Sequence, residues 1–225
     1  MAQSGTRRII ETLLEAHGCT YAAQAGIRLP RNTPAPLFQL LCLSLLLSAR
    51  ISADVAVSAC RALLDAGWTT PARLAGSTWS ERTRVLNQSG YARYDESTSR
   101  MLGQTVDILQ RRYDGDLRRL RDAADRDPAE ERQVLQDFPG IGTVGASIFG
   151  REVQLVWDEQ YPFADARALA SAERLGLGAS ASELQRLTTG VEEFTTLVAA
   201  LVRCSLAGDH DEILATAAAM RCRLR

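Results

Sequence analysis

Residues 137–147 read DFPGIGTVGAS, and the fold turns on how this stretch is read. Pro139 and Gly140 suit a tight turn, because proline presets φ and glycine accepts a positive one. Ile141 is the large apolar side chain between two glycines, placed to tuck into a groove between helices. Gly142 then precedes a helix beginning near Thr143, which Ala146 and Ser147 keep slim. The first amides of a helix and its dipole attract an anion, most naturally a phosphate, and side-chain-free glycines let it come close.

A Pro-Gly corner joins helices for purely structural reasons too. The full pattern of apolar residue, Pro-Gly-Ile-Gly and small residues is more specific. It is that of a helix-hairpin-helix near residues 129–155, which grips the DNA backbone and reads no base sequence.

The same helical periodicity runs outward in both directions. Upstream it predicts helices over 5–17, 36–49, 78–87 and 94–112. Ser52 or Asp54 caps a further one that ends at Gly67, and Pro71 opens a short one. Shorter segments at 116–125 and 129–137 lead into the hairpin. Downstream, helices are expected near 166–175, 180–188, 191–206 and 209–221. Residues 19–36 read as a loop, and EVQLVWDEQYPF (152–163) as a loop or a short extended piece. The expectation is an all-α chain with no paired strands.

Composition narrows the function classes. Hydrophobic residues are 46% and charged residues 24% of 225, ordinary for a globular protein. The longest apolar run, Leu37–Ala49, is shorter than the ~20 residues that span a bilayer. The N-terminal stretch, with Glu11 and Glu15 inside its apolar pattern, reads as an amphipathic helix rather than a secretion signal. No membrane association and a cytoplasmic location, beside the nucleoid if the source is bacterial, are therefore expected. The net charge of −1 disfavours a non-specific nucleic-acid coat but leaves room for a local DNA-binding face. The segment 111–121, with five Arg against two Asp, is read as a solvated face or a phosphate-facing strip.

Two features bear on chemistry. All 26 basic residues are arginine, so no lysine amine exists to form a Schiff base. The five cysteines, Cys19, Cys42, Cys60, Cys204 and Cys222, are never closer than eighteen residues. They contain no Cys-x-x-Cys pair and no zinc or iron–sulfur spacing, so no metal is expected from them.

Four segments taken in order resemble the endonuclease III family of helix-hairpin-helix DNA glycosylases. They are LCLSLLLSARISAD (41–54), SGYARYDESTSRML (89–102), FPGIGTVGAS (138–147) and PFADARALASAERLGL (162–177). The resemblance spans roughly residues 34–206. It implies two helical domains with a DNA-binding cleft between them: 34–149, ending in the hairpin, and 1–33 plus 150–225, carrying the catalytic aspartate.

Residue by residue, it puts the catalytic Asp at Asp165, with Asp158 as the alternative because the spacing from Val144 exceeds the family's. It puts the lyase lysine at Val144 and the backbone-binding turn at Gly140, Ile141 and Gly142. Arg50 matches the residue that fills the space left by a flipped base, and Tyr91 the one that wedges beside the partner base. Read alone, Asp165 is equally a helix N-cap, Arg50 a helix C-terminal cap, and Tyr91 a packed aromatic. The family's four-cysteine cluster loop is absent, and Ser44 stands where the adenine-excising branch carries a glutamate.

These matches imply a monomeric, monofunctional glycosylase in base-excision repair. It would act on double-stranded DNA containing a lesion and lack β-lyase activity. It would need no iron–sulfur cluster, with room for a monovalent cation at the hairpin. The alternative is a catalytically silent helix-hairpin-helix protein that binds damaged or bent DNA.

Overall fold

A computed structural model describes the backbone of residues 2–223 and the side chains of residues 5–219; the Cys222 thiol lies outside the described residues. The chain is all-α, with no strand among the described residues. It forms two compact units, residues 21–159 and residues 1–20 with 160–225.

The central unit is built on α3 (Pro34–Leu47), whose buried face includes Leu37, Leu40, Leu41, Leu43 and Leu46. Around it lie α2 (Tyr21–Ala25), α4 (Ala53–Asp65), α5 (Pro71–Ala75), α6 (Trp79–Gln88), α7 (Asp95–Tyr113), α8 (Leu117–Ala123), α9 (Pro128–Val134) and α10 (Thr143–Val153). Local signals fix the helix starts, those at Ser52 and Pro71 as the sequence predicts. The Ser52 side chain accepts from the Val55 amide, Thr78 and Glu81 form a capping box, and Pro71 opens α5.

The second unit packs α1 (Ala2–His17), α11 (Ala166–Arg174), α12 (Ala181–Gln185), α13 (Val191–Ala207) and α14 (His210–Arg223). Its own core includes Leu13, Ala168, Ala172, Phe194, Leu197, Leu201 and Ile213. No helix of the described residues is long and apolar enough to cross a membrane.

The unit borders differ from the expected 33/34 and 149/150. Glu152, 2% exposed, accepts the Tyr21 and Ala22 amides at 2.7 and 2.8 Å, tying the start of α2 to the end of α10. Trp157, fully buried, packs edge-on against Phe149 at 5.5 Å. Residues 21–33 and 150–159 therefore belong to the central core. The expected loop 19–36 contains α2 and a 3-10 turn at Leu29–Arg31. In 152–163, the chain leaves α10 and forms a 3-10 turn at Asp158–Gln160 rather than an extended piece.

Arg121 closes this region. Its guanidinium lies 5.5 Å from the Trp157 ring centroid and donates to Glu159 at 2.6 Å. Burial opposes the charge on Glu159, but hydrogen bonds with Arg121 and Glu131 outweigh it and hold the carboxyl at about 2 against an ordinary 4.5. A depressed carboxylate stabilises the fold above its unfolded value, and that stability is lost as pH falls through the folded one. Urea midpoints are expected to drop as pH falls from 4.5 towards about 2. Glu159→Gln should lower the midpoint at pH 7 and flatten the drop.

Candidate nucleic-acid interface and carboxylate

The hairpin follows from its residues. Asp127 caps α9 by accepting from the Ala129 and Glu130 amides at 2.8 Å each. The helix tightens into a 3-10 turn at Leu135–Asp137, and the Phe138 side chain is buried. The Ile141 amide then donates to the Phe138 carbonyl at 3.0 Å. This closes the corner with Gly140 at φ +84°, a left-handed conformation that glycine adopts freely. Gly142 is the N-cap of α10 and makes no side-chain cap bond.

Exposure alternates sharply here. Ile141 is 3% exposed and anchors the turn. Gly140, Gly142, Thr143 and Val144 are exposed. The first turn of α10 is thus an uncapped, accessible helix N-terminus flanked by glycines, which suits a phosphate oxygen.

The hairpin rests on the C-terminal end of α3. A Cβ at Gly140 would come within 3.3 Å of Leu45 Cγ, and one at Gly145 within 2.6 Å of Ser48 Oγ. Ser48 ends α3 by donating its hydroxyl to the Ser44 carbonyl at 2.6 Å. Arg50, two residues further, is exposed. The structure therefore brings the hairpin turn and the C-terminal end of α3 together, with Arg50 just beyond that end. Val144, which the sequence resemblance matches to the family's lysine, is 66% exposed on the same first turn of α10.

Tyr91 reaches the same end of α3 from beneath. It is fully buried, its hydroxyl donates to the Leu46 carbonyl at 3.0 Å, and burial pushes its phenol up to about 12. A side chain with no exposed surface cannot wedge between bases, so the expected wedge role is corrected: Tyr91 is core here. Its position after a helix-ending glycine does not distinguish the two jobs. Ser44 is likewise fully buried, inside α3.

Asp165 lies in the other unit. It is the N-cap of α11, accepting the Ala168 amide at 3.0 Å, and is partly exposed. Asp158, the alternative carboxylate, sits exposed on the 3-10 turn and heads no α-helix. Among the other aromatic side chains, Trp157 is core and Tyr161 packs edge-on against Phe194 at 5.2 Å. Trp79 is 43% exposed, with its indole donating to the Glu96 carbonyl.

No family model matches the chain, and no curated protein matches it in sequence. Two solved structures are similar to it. One is a trapped endonuclease III–DNA covalent intermediate in an estranged-adenine complex, at 18% identity and a TM-score of 0.46, covering 73% of this chain and 71% of that one. The other is a non-covalent endonuclease III–DNA complex, at 18% identity and a TM-score of 0.47, covering 76% and 72%.

Proposed function

We propose that the protein is a monofunctional DNA glycosylase of base-excision repair. It removes a damaged or mispaired base from double-stranded DNA by hydrolysing the N-glycosidic bond, and it leaves the strand unbroken. The observation that carries this reading is the accessible, uncapped start of α10 behind Gly140 and Gly142, in a chain with no lysine.

Each residue has a stated task. The amides at the hairpin hold a backbone phosphate without reading sequence. The target base leaves the stack to be reached. Arg50, exposed at the end of α3, fills the vacated space and hydrogen-bonds to the partner base. The Asp165 carboxylate stabilises the cation-like sugar as the base departs and orients the attacking water. Strand nicking by β-elimination needs an amine nucleophile, which neither Val144 nor any other side chain supplies. With Ser44 in place of a carboxylic acid, the reading favours bases that leave without protonation, such as alkylated purines that are already cationic.

The same reading has the protein act as a soluble, cytoplasmic monomer without an iron–sulfur cluster. Such a cluster takes four thiolates. Cys42 and Cys60 lie in the central core, where burial raises both thiols, Cys60 to about 12. Residues 1–20 and 160–225 contain only Cys19, Cys204 and Cys222. A monovalent cation at the hairpin carbonyls is compatible with the reading. A silent DNA-binding protein is the second reading, favoured by Asp165 having full structural employment as the α11 cap.

The test is a cleavage screen with duplexes carrying uracil, thymine glycol, 8-oxoguanine, alkylated adenine or a T:G mismatch, each read with and without hot alkali. Breaks that appear only after alkali are expected with one lesion class. Breaks without alkali would overturn the monofunctional assignment. Tight binding with no breaks on any duplex would hand the case to the second reading.

A further inference from the structure

The chain has two histidines, and both lie at one point of the second unit, where α1, α13 and α14 meet. His17 is the last residue of α1. Cys204 lies on the last turns of α13, which ends at Gly208 with φ +77°. That left-handed residue turns the chain so that Asp209 stands just before α14, beginning at His210. The candidate donor atoms of His17, Cys204 and Asp209 all lie within 4.8 Å of one another. We propose that His17 Nε2, Cys204 Sγ and an Asp209 carboxylate oxygen bind one zinc ion, with water in the fourth position.

The three side chains form one hydrogen-bonded cluster. It is set against the Ala- and Leu-rich core formed by residues such as Leu13, Ala168, Leu201 and Ile213. Cys204 has no exposed surface, whereas His17 and Asp209 keep 17% and 25% of their side chains exposed. A ligand therefore has a route in from one side. His17 Nε2 is 2.7 Å from Asp209 Oδ2, and Cys204 hydrogen-bonds to the same carboxylate.

Behind these three, the Ser171 hydroxyl meets Cys204 and also lies 2.9 Å from His210 Nε2. Two buried atoms are left without partners: Asp209 Oδ1 and Nδ1 of His210, a residue 4% exposed. Buried polar atoms are rarely left so, and each calls for a reason. A cation on Asp209 supplies one.

Imidazole, thiolate and carboxylate together form a donor set for a borderline-soft divalent ion, and zinc takes all three at about 2.0–2.3 Å. Tetrahedral edges at those bond lengths are roughly 3.3–3.8 Å, so the three side chains must adjust by about an ångström. The metal replaces hydrogens that the carboxylate now receives. Binding releases the Cys204 thiol proton to solvent and leaves His17 protonated on Nδ1 alone. Ser171 and His210 form the supporting layer that holds Cys204 in place. Sequence spacing argued against a metal, because it tests cysteines near one another. These donors come from positions 17, 204 and 209, which only folding brings together.

The experiment uses the full chain after chelation and substitutes Co(II) for zinc as an optical reporter, so it does not depend on any DNA chemistry. Titration should saturate at one equivalent, with tetrahedral visible bands and a thiolate-to-cobalt band in the near ultraviolet, and zinc should displace both. The near-ultraviolet band should vanish in Cys204→Ser and persist in Cys19→Ser, whose exposed thiol is the nearest competitor in sequence. His17→Gln and Asp209→Asn should each weaken binding at least about tenfold. Zinc should raise the melting temperature of the wild type by several degrees and do little to that of His17→Gln. Circular dichroism of each chelated variant checks its fold. No saturable binding, or a band that survives Cys204→Ser and disappears in Cys19→Ser, would overturn the site and leave a hydrogen-bonded cluster.

Discussion

Asp165→Asn is expected to abolish base excision by ~10³-fold or more while leaving duplex affinity and the melting temperature essentially unchanged. Under the proposed function one carboxylate has two jobs, and the substitution removes only one of them. As the N-cap of α11, Asp165 accepts the Ala168 amide at 3.0 Å. Asparagine caps about as well as aspartate, because its amide oxygen accepts the same bond. In its proposed catalytic role, Asp165 would supply a negative charge to a cation-like sugar, and asparagine would supply none.

Asp165→Ala removes both functions and should additionally cost about 1 kcal/mol of stability. Single-turnover excision with the lesion found in the screen, beside thermal melts of the three proteins, makes the comparison. Full activity in Asp165→Asn would refute the catalytic assignment. Asp158→Asn should by contrast leave excision intact, since that residue sits on a 3-10 turn and heads no α-helix.

Most of the architecture was legible because local signals and tertiary packing agree. Ser52 and Pro71 each mark a helix start by a backbone bond that the residue itself makes or releases, so the boundary is written where it occurs. The misses have physical causes. YAAQA forms α2 without a helical period of its own; its start is held by Glu152, about 130 residues away. The unit borders moved for the same reason. Of the candidate site, the hairpin was readable because proline and glycine dictate backbone angles directly. Tyr91 stayed open between wedge and packed aromatic because an aromatic after a helix-ending glycine looks the same in sequence whether it faces solvent or core, and only its burial decides for the core. The His17, Cys204 and Asp209 cluster had no sequence signal, since its donors are separated by most of the chain.

Gly140→Ala and Gly142→Ala should separate the folding role of the hairpin from its DNA role. At Gly140 the backbone is left-handed, and a new Cβ would meet Met101 Sδ at 2.8 Å and Leu45 Cγ at 3.3 Å. A non-glycine residue held in that conformation costs ~1–3 kcal/mol, and the contact with Met101 adds to it, although that sulfur can shift. The variant should therefore unfold at lower urea and bind duplex weakly, because the turn that aims the α10 amides is itself disturbed.

Gly142 differs in both respects. Its φ of −95° suits any residue, and a Cβ there meets nothing within 4 Å. Stability should stay within about 0.5 kcal/mol of the wild type. The added methyl nonetheless stands at the exposed start of α10, where a phosphate must approach the amides. Duplex affinity should fall roughly tenfold, equivalent to about 1.4 kcal/mol. Fluorescence anisotropy with labelled duplex and urea titrations of both variants decide the matter. A Gly142→Ala protein that binds DNA like the wild type would mean the start of α10 touches no phosphate. The hairpin would then be a helix corner alone, and the glycosylase reading would lose the observation on which it stands.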